Sequence, residues 1–177
     1  MQADVGCGYG ASTLIMAEAF PNSHFRGFDN HEGSIKAAAD KAAAAGMEKR
    51  VQFFVSDAAN LPEQAFYLFC FFECLHDLGN RLAALRRAGE CLKPDGAIMI
   101  VEPMAGNLVE EKFNPVGSTF SVASTLCCIS NSIALGGLAL GAVATDDELC
   151  KAALDGGFKI FRRAAKMPFN RVFEVRL

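Results

Sequence analysis

A glycine-rich loop near the amino terminus constrains the fold of this chain more than any other feature. The loop is Gly6-Cys7-Gly8-Tyr9-Gly10, and it directly follows Asp4-Val5 at the end of a very short apolar run. Glycines at alternate positions allow a tight turn and let the backbone approach a ligand where a side chain would collide. Residues 11–20 are expected to form a helix, whose first amide groups would face the same ligand. The loop therefore predicts a strand, a turn and a helix that together bind a nucleotide-like molecule.

The spacing of the glycines separates two classes of ligand. A dinucleotide-binding loop has the pattern G-x-G-x-x-G and holds a pyrophosphate. Here Gly10 comes one residue earlier than that pattern requires, and an acidic residue, Asp4, precedes the first glycine. The early Gly10 disfavours a pyrophosphate, although a nicotinamide-dependent oxidoreductase is kept as an alternative.

Strand-like and helix-like segments alternate along the chain, which indicates an α/β fold with a doubly wound, mostly parallel sheet. The predicted strands after the glycine loop are 24–28, 51–55, 66–72 and 98–101, and the predicted helices between them are 34–45 and 81–92. Lys93-Pro94-Asp95-Gly96 predicts a turn before the fifth strand. Thr145-Asp146-Asp147-Glu148 has capping-box spacing and predicts another helix. Strands over 158–163 and 171–176 are expected to form a C-terminal antiparallel hairpin.

Acidic residues follow or end four of the predicted strands. In chain order they are Asp29, Asp57, Glu73 and Glu102. Parallel strands end at the same edge of a sheet, and open α/β folds bind ligands at that edge. Turn chemistry or helix capping explains any one of these residues equally well. The ordered set, taken together with the glycine loop, favours a ligand site.

The loop and the strand ends together resemble the class I S-adenosylmethionine-dependent methyltransferases, whose first motif is an acidic residue, one spacer and then G-x-G-x-G. Cys74-Leu75-His76-Asp77, Val101-Glu102-Pro103 and Asn114-Pro115-Val116-Gly117 are similar to segments of bacterial methyltransferases that carry an amino-terminal winged-helix domain. The resemblance covers nearly the whole chain. It implies one methyltransferase domain over 1–177 with a Rossmann-like sheet of seven strands.

The chain departs from this resemblance in two places. Only three residues precede Asp4, so the resemblance implies that amino-terminal elements of the domain are absent from this sequence. Tyr67 stands at the start of the fourth strand, where many relatives carry Asp.

The resemblance implies S-adenosyl-L-methionine as the cofactor. The loop would hold the methionine tail, with Asp4 near its amino group, while Asp29 would accept hydrogen bonds from the ribose hydroxyls and Asp57 would face the adenine amino group. Phe72 and Glu73 would contact the methionine part. The implied cofactor-binding residues are Asp4, Gly6, Cys7, Gly8, Gly10, Asp29, Asn30, Asp57, Ala58, Phe72 and Glu73.

His76 is the candidate general base. It follows the fourth strand, and an imidazole titrates near neutral pH. By resemblance to plant-type small-molecule O-methyltransferases, Glu102 would orient His76, and Asp77, the third catalytic candidate, would cap the next helix. These roles imply methyl transfer to a small-molecule acceptor at oxygen. Two alternatives stay open: His76 only packs or hydrogen-bonds at a helix start, or the chain is a cofactor-binding regulatory module without turnover.

Charge and hydropathy disfavour two classes of partner. A net charge of −3 argues against a nucleic-acid surface, which needs clustered Lys and Arg. Residues 113–145 carry no charged side chain, yet Ser, Thr, Asn and Gly interrupt them and they lie between two parts of one sheet. We therefore expect no membrane partner, and we expect residues 105–145 to form a helical insertion or a lid over a substrate pocket.

The spacing of the cysteines predicts neither a metal site nor disulfides. The chain has seven cysteines and three histidines, and no two cysteines have C-x-x-C spacing. The odd number of cysteines and the lack of a signal peptide indicate reduced thiols and a cytoplasmic location. The oligomeric state is left open, with a homodimer as one candidate.

Overall fold

The computed structural model describes residues 1–63 and 65–177 and contains a single mixed sheet. In the described residues, seven strands lie in the order β3-β2-β1-β4-β5-β7-β6. The strands are β1 (Gln2–Val5), β2 (Phe25–Asp29), β3 (Val51–Val55), β4 (Phe66–Phe72), β5 (Leu92–Pro103), β6 (Ile160–Lys166) and β7 (Asn170–Arg176). Strands β1 to β5 pair in parallel, whereas β7 pairs antiparallel with both β5 and β6. The predicted parallel sheet with a C-terminal antiparallel hairpin is confirmed.

Helices connect the strands at the positions that the sequence predicts, to within a few residues. They are α1 (Ala11–Ala19), α2 (Glu32–Ala44), α3 (Arg81–Cys91), α4 (Pro115–Ala123), α5 (Ile129–Ala134) and α6 (Asp146–Asp155). The predicted capping box starts α6, because the Thr145 side chain accepts from the Glu148 amide and the Glu148 side chain accepts from the Thr145 amide. His31 caps α2 by accepting a hydrogen bond from the Ser34 amide at 3.1 Å.

The prediction of a turn between α3 and the fifth strand was wrong. Strand β5 begins at Leu92, directly after α3, because the buried Leu92 already pairs with Phe66 of β4. The next pair joins Leu68 to Ala97, so five residues of β5 span the length of two residues of β4. Residues 93–96 therefore form an irregularity within the strand, and extra residues of this kind are typical of β-bulges.

The centre of the core is β4, which is covered on both faces of the sheet. Phe66, Phe69, Cys70 and Phe71 have no exposed surface, although neighbouring residues of a strand point to opposite faces. Such a continuous apolar run is expected of a central strand in a doubly wound fold. The register of β4 between β1 and β5 fixes where the loop after Phe72 leaves the sheet.

The insertion is helical over much of its length. A 3-10 turn (Glu110–Lys112) precedes α4, and a π turn (Ser124–Cys128) joins α4 to α5. The buried residues of this helical stretch are small: Gly117, Ser124 and Ser132. Large apolar side chains along the insertion are more than half exposed, including Phe113, Val122, Leu126, Ile133 and Leu138. The insertion thus lies against the domain through its small residues, and its role as a lid stays a prediction.

The length and hydropathy of the helices show whether any of them could cross a membrane. Across residues 1–63 and 65–177, no helix combines the length and the apolar character that crossing a bilayer requires.

The buried side chain of Arg171 anchors the return of the insertion to the sheet. The Arg171 side chain on β7 has no exposed surface, and its guanidinium donates to Asp146 Oδ1 at 2.6 Å. It also donates to the carbonyl oxygens of Pro103 and Ala144, at 2.9 Å and 2.8 Å. The start of α6, the end of the insertion and the end of β5 therefore meet at one cation.

We expect Arg171→Leu to destabilise the fold strongly, since it leaves the carbonyl oxygens of Pro103 and Ala144 without this donor and leaves Asp146 paired, among the described residues, with Arg163 alone. Each buried acceptor left without a hydrogen bond costs about 1–3 kcal/mol. The matched control is Arg162→Leu, because Arg162 pairs with Glu174 on the exposed hairpin and should change stability by about 1 kcal/mol or less. Urea unfolding of the two variants measures the difference, and equal losses would contradict the anchoring role.

Candidate functional site

A crevice lies at the carboxyl ends of the parallel strands, where β1 sits between β2 and β4. This is the point at which the order of the strands reverses, and open α/β sheets bind ligands at such points. The crevice has a volume of about 280 Å³. Its lining includes six of the residues singled out in the sequence, namely Gly6, Asp29, Asn30, Asp57, Ala58 and Asp77.

The glycine loop adopts backbone conformations that other residues rarely reach. Gly6, Gly8 and Gly10 all have positive φ angles, of 70°, 51° and 75°. A Cβ atom on Gly10 would lie 2.6 Å from the ring of Phe53 and 2.8 Å from Ala38, so this glycine permits close packing at the start of α1. A Cβ atom on Gly8 would meet no atom of the described residues within 4 Å, which means that the middle of the loop faces open space.

Asp29 fixes the glycine loop against the end of β2. Its Oδ2 accepts a hydrogen bond from the Gly8 amide and its Oδ1 accepts one from the His31 amide, both at 2.9 Å. Each carboxylate oxygen retains a further lone pair for a ligand. The carboxylate is therefore held in one orientation beside the crevice by the backbone on either side of it.

Asp4 occupies a different place from Asp29. It is fully buried, and its Oδ2 accepts from the hydroxyls of Ser12 and Thr13 at 2.7 Å and 2.6 Å, which ties β1 to α1. Burial raises the pKa of Asp4, and the two hydroxyl donors partly offset this effect. Its Oδ1 is buried and has no hydrogen-bond partner among residues 1–63 and 65–177. Asp4 is absent from the crevice lining, so its contact with a ligand stays a prediction.

Asp57 and Ala58 reach the crevice from the end of β3. Asp57 Oδ1 accepts a hydrogen bond from the Ala59 amide at 2.7 Å and caps a 3-10 turn (Ala58–Asn60). The capping explanation for this strand-end Asp is therefore correct. Asp57 nevertheless also lines the crevice, so the two explanations are compatible.

Five further predicted cofactor residues lie outside the crevice lining, namely Gly8 and Gly10 of the glycine loop together with Cys7, Phe72 and Glu73. Cys7 is buried. Its Sγ packs so closely against Gly27 that a Cβ atom added to Gly27 would lie only 2.8 Å from it. Phe72 is half-buried at the end of β4. Glu73 follows Phe72 and has a φ of 50°, which is unusual for a residue with a side chain. Its carboxylate accepts a hydrogen bond from the side-chain amide of Asn170. A cofactor role for these five residues stays a prediction.

Sequence reasoning missed several residues that line the crevice. They include Cys74, Leu78, Gly79, Asn80, Asn131 and Leu135. Asn80 could have been found as a helix cap, because its Oδ1 accepts from the Ala83 amide at 3.0 Å at the start of α3. The prediction that Asp77 caps this helix was wrong, since three further residues separate Asp77 from the first residue of α3.

A buried histidine and a buried glutamate meet beside the crevice. His76 follows β4 and is 3% exposed, and its Nδ1 forms a hydrogen bond with Oε2 of Glu102 near the end of β5. Its Nε2 lies 3.3 Å from Asp77 Oδ1. Burial disfavours a charged imidazole, but the hydrogen bond and charge of Glu102, followed by the charges of Asp77 and Glu73, outweigh it and raise the pKa of His76.

The orientation of His76 decides what its ring can do chemically. When Nδ1 donates its proton to Glu102, the lone pair of the neutral ring is on Nε2. Asp77, which lines the crevice, lies on this Nε2 side. The arrangement can therefore accept a proton at a defined atom and stabilise the resulting imidazolium through Glu102.

The insertion contacts the loop that carries His76. The Ser132 hydroxyl donates to the Leu78 carbonyl at 3.4 Å. A Cβ atom on Gly79 would lie 2.6 Å from the Leu135 carbonyl oxygen, so α5 approaches this loop closely. Asn131 and Leu135 of the same segment also line the crevice.

Comparison with known proteins identifies a family for most of the chain. Residues 3–136 match the model of a family described as a methyltransferase domain. The chain is 28% identical to ajmaline N-methyltransferase of Rauvolfia serpentina over 75% of its length and 48% of that protein. It is 31% identical to 27-O-demethylrifamycin SV methyltransferase of Amycolatopsis mediterranei over 55% of its length and 36% of that protein.

Solved structures show the same fold. The neocarzinostatin-biosynthesis O-methyltransferase NcsB1, in complex with S-adenosyl-L-homocysteine and 1,4-dihydroxy-2-naphthoic acid, superposes with a TM-score of 0.76 at 20% identity. The superposition covers 99% of this chain and 48% of that one. The chain thus spans about half or less of the length of the relatives described here.

We expect Gly10→Ala to destabilise the fold by more than about 2 kcal/mol. The alanine would have to adopt a positive φ, and its Cβ atom would lie too close to Phe53 and Ala38. Gly46→Ala is the matched control, since Gly46 has a φ of 66° but open space around its Cβ direction. The control should cost about 1–2 kcal/mol, the cost of the backbone conformation alone. Denaturant unfolding compares the two, and a Gly10 variant no less stable than the control would contradict the packing role.

Proposed function

We propose that this chain, which belongs to the methyltransferase domain family, transfers a methyl group from S-adenosyl-L-methionine to an oxygen atom of a small molecule. The family match covers residues 3–136 and removes the oxidoreductase alternative. The observation that carries the oxygen acceptor is the buried hydrogen bond between His76 and Glu102 beside the crevice. The relatives named above include both O- and N-methyltransferases, so the acceptor atom is inferred from this chain's own residues.

Residues in the crevice and next to it fit the cofactor in three respects. The Gly8 position faces open space, as a loop that binds a ligand closely requires. Asp29 keeps one lone pair on each oxygen for ribose hydroxyls, and Asp57 with Ala58 offers a polar rim for the adenine. The buried and unpartnered Oδ1 of Asp4 suits an ammonium donor in the methionine tail. When bound, the cofactor supplies an electrophilic methyl group on a sulfonium.

His76 acts as the general base in this proposal. A hydroxyl is a weak nucleophile until it loses its proton, and Nε2 of His76 is the atom that takes this proton. Glu102 holds the ring through Nδ1 and balances the positive charge that His76 gains. Because both side chains are buried, water competes little for either hydrogen bond.

The need for a base distinguishes oxygen from nitrogen acceptors. A neutral amine already presents a lone pair and can lose its proton after the methyl group has been transferred. A phenol or an alcohol reacts well only as its proton leaves. A buried imidazole that a carboxylate orients can act as the general base for this proton transfer, and its presence therefore favours an oxygen acceptor.

Asp29→Ala should weaken the binding of S-adenosyl-L-homocysteine about 10-fold or more, because it removes the ribose acceptor and the anchor of the Gly8 amide. Calorimetry with the product cofactor measures the change. Asp40→Ala is the control, since Asp40 is exposed on α2 and pairs only with Lys36 among the described residues. Equal affinities of the two variants would remove Asp29 from the site, and no binding to the unmodified chain at millimolar ligand would refute cofactor use.

His76→Ala should lower kcat for a phenolic acceptor about 100-fold to 10,000-fold, because it removes the imidazole that Glu102 orients to take the proton. Glu102→Gln keeps the shape but removes the charge, and we expect it to lower kcat with little change in acceptor KM. His24→Ala, which alters an exposed histidine, should leave kcat unchanged.

Transfer of a labelled methyl group to a panel of phenols, naphthols and secondary amines measures these effects. Full activity of His76→Ala on a phenol would contradict the base role. Turnover confined to amines would assign the acceptor atom to nitrogen instead. Tight cofactor binding without transfer to any acceptor would support the regulatory module.

A further inference from the structure

Three side chains that commonly bind metal ions meet beside the crevice. They are His76 and Asp77, which follow β4, and Cys128, the last residue of the π turn in the insertion. One ligand atom from each lies within 4.8 Å of the other two. The sequence predicts no metal here because about fifty residues separate Cys128 from the other two, which is outside every short spacing pattern.

Two atoms of this group that can each accept a hydrogen bond face each other, while the Cys128 thiol hydrogen-bonds with the Asp77 side chain. Nδ1 of His76 is used by Glu102, so Nε2 of the neutral ring carries a lone pair, and it faces Asp77 Oδ1 at 3.3 Å. This Asp77 oxygen is buried and has no hydrogen-bond partner among the described residues. A proton on Nε2 would relieve this one contact. A cation would satisfy the imidazole, the carboxylate and the neighbouring sulfur together.

The distance between His76 and Asp77 matches a tetrahedral zinc site. With Zn–N and Zn–O bonds of about 2.0–2.2 Å at a tetrahedral angle, the nitrogen and oxygen ligands lie roughly 3.4 Å apart. Nε2 of His76 and Oδ1 of Asp77 are 3.3 Å apart without any adjustment. A Zn–S bond of about 2.3 Å places the sulfur roughly 3.6 Å from the nitrogen. Because the ligand atoms lie within 4.8 Å of one another, Cys128 Sγ has to approach the nitrogen by roughly 1.2 Å at most.

The surroundings of the three ligands also resemble those of a metal site. Histidines that bind zinc commonly donate their second ring N–H to a carboxylate, which fixes the ring and increases its basicity. Glu102 makes this contact with Nδ1 of His76. Cys128 ends a π turn, an irregularity of helices that is frequent at functional sites.

We propose that Nε2 of His76, a carboxylate oxygen of Asp77 and Sγ of Cys128 bind one divalent cation of the zinc class. A thiolate, an imidazole and a carboxylate together favour zinc over magnesium or calcium. Binding forms three coordinate bonds, and the thiol proton of Cys128 is released to solvent.

The cation would also act on methyl transfer, and this part rests on the proposed function. The metal occupies the same Nε2 lone pair that His76 uses to accept the proton of the acceptor. A bound cation therefore inhibits transfer, while the insertion that supplies Cys128 becomes linked to the loop that carries His76.

Cobalt titration of the reduced chain, without cofactor or acceptor, tests the site. A thiolate bound to Co²⁺ gives a near-ultraviolet charge-transfer band, and a tetrahedral ion gives intense visible bands. We expect both at one equivalent in the unmodified chain and in Cys127→Ser, which alters the exposed neighbouring thiol. Cys128→Ser should lose the charge-transfer band and bind Zn²⁺ at least 10-fold more weakly in a chelator competition. Absence of the band from the unmodified chain, or its retention in Cys128→Ser, would overturn the site.

Methyl transfer measured with and without Zn²⁺ separates the two claims. Zinc should inhibit the unmodified chain and Cys127→Ser, whereas Cys128→Ser should resist it. A cobalt spectrum as expected without zinc inhibition would overturn the inhibitory role alone. Absence of transfer in metal-free chain, together with the expected spectrum, would overturn the proposed function and leave the metal site standing.

Discussion

The hydrogen bond between Glu102 and His76 connects the parts of this molecule on which its proposed chemistry depends. Glu102 is held in β5 by pairing with β7, and His76 lies in the loop after β4. Both side chains are buried, so an isolated charge on either one would be costly, and the pair is favourable only with the two groups in contact. The sheet therefore determines which ring nitrogen of His76 is directed away from Glu102.

The insertion and the glycine loop approach this pair from two sides. Asp29 accepts a hydrogen bond from the Gly8 amide at the end of β2, which fixes the glycine loop beside the crevice. Ser132 and Leu135 of the insertion contact Leu78 and Gly79, in the loop that carries His76. A shift of the insertion would therefore move one wall of the crevice. The same shift would change the distance from Cys128 to His76. The proposed cation connects the same two segments directly.

Much of the fold could be predicted because its signals are local. The run from Phe66 to Phe72, the three glycines and the capping box at Thr145 each act within a few residues, and each element was found. The start of β5 was missed because Leu92 pairs across the sheet before the turn residues, which no local pattern reveals. In the site, the partnership of Asp29 with Gly8 and the burial of Asp4 depend on contacts between distant segments. The same holds for the approach of Cys128 to His76 and for Arg171 at the end of the insertion.

A crystal structure with S-adenosyl-L-homocysteine tests the central claim most directly. The account predicts the ribose hydroxyls at Asp29, the adenine beside Asp57 and Ala58, and the sulfur on the side of the crevice nearest to His76. Nε2 of His76 should then face the space left for an acceptor hydroxyl. A ligand bound elsewhere, or a crevice that stays empty at millimolar ligand, would contradict the account.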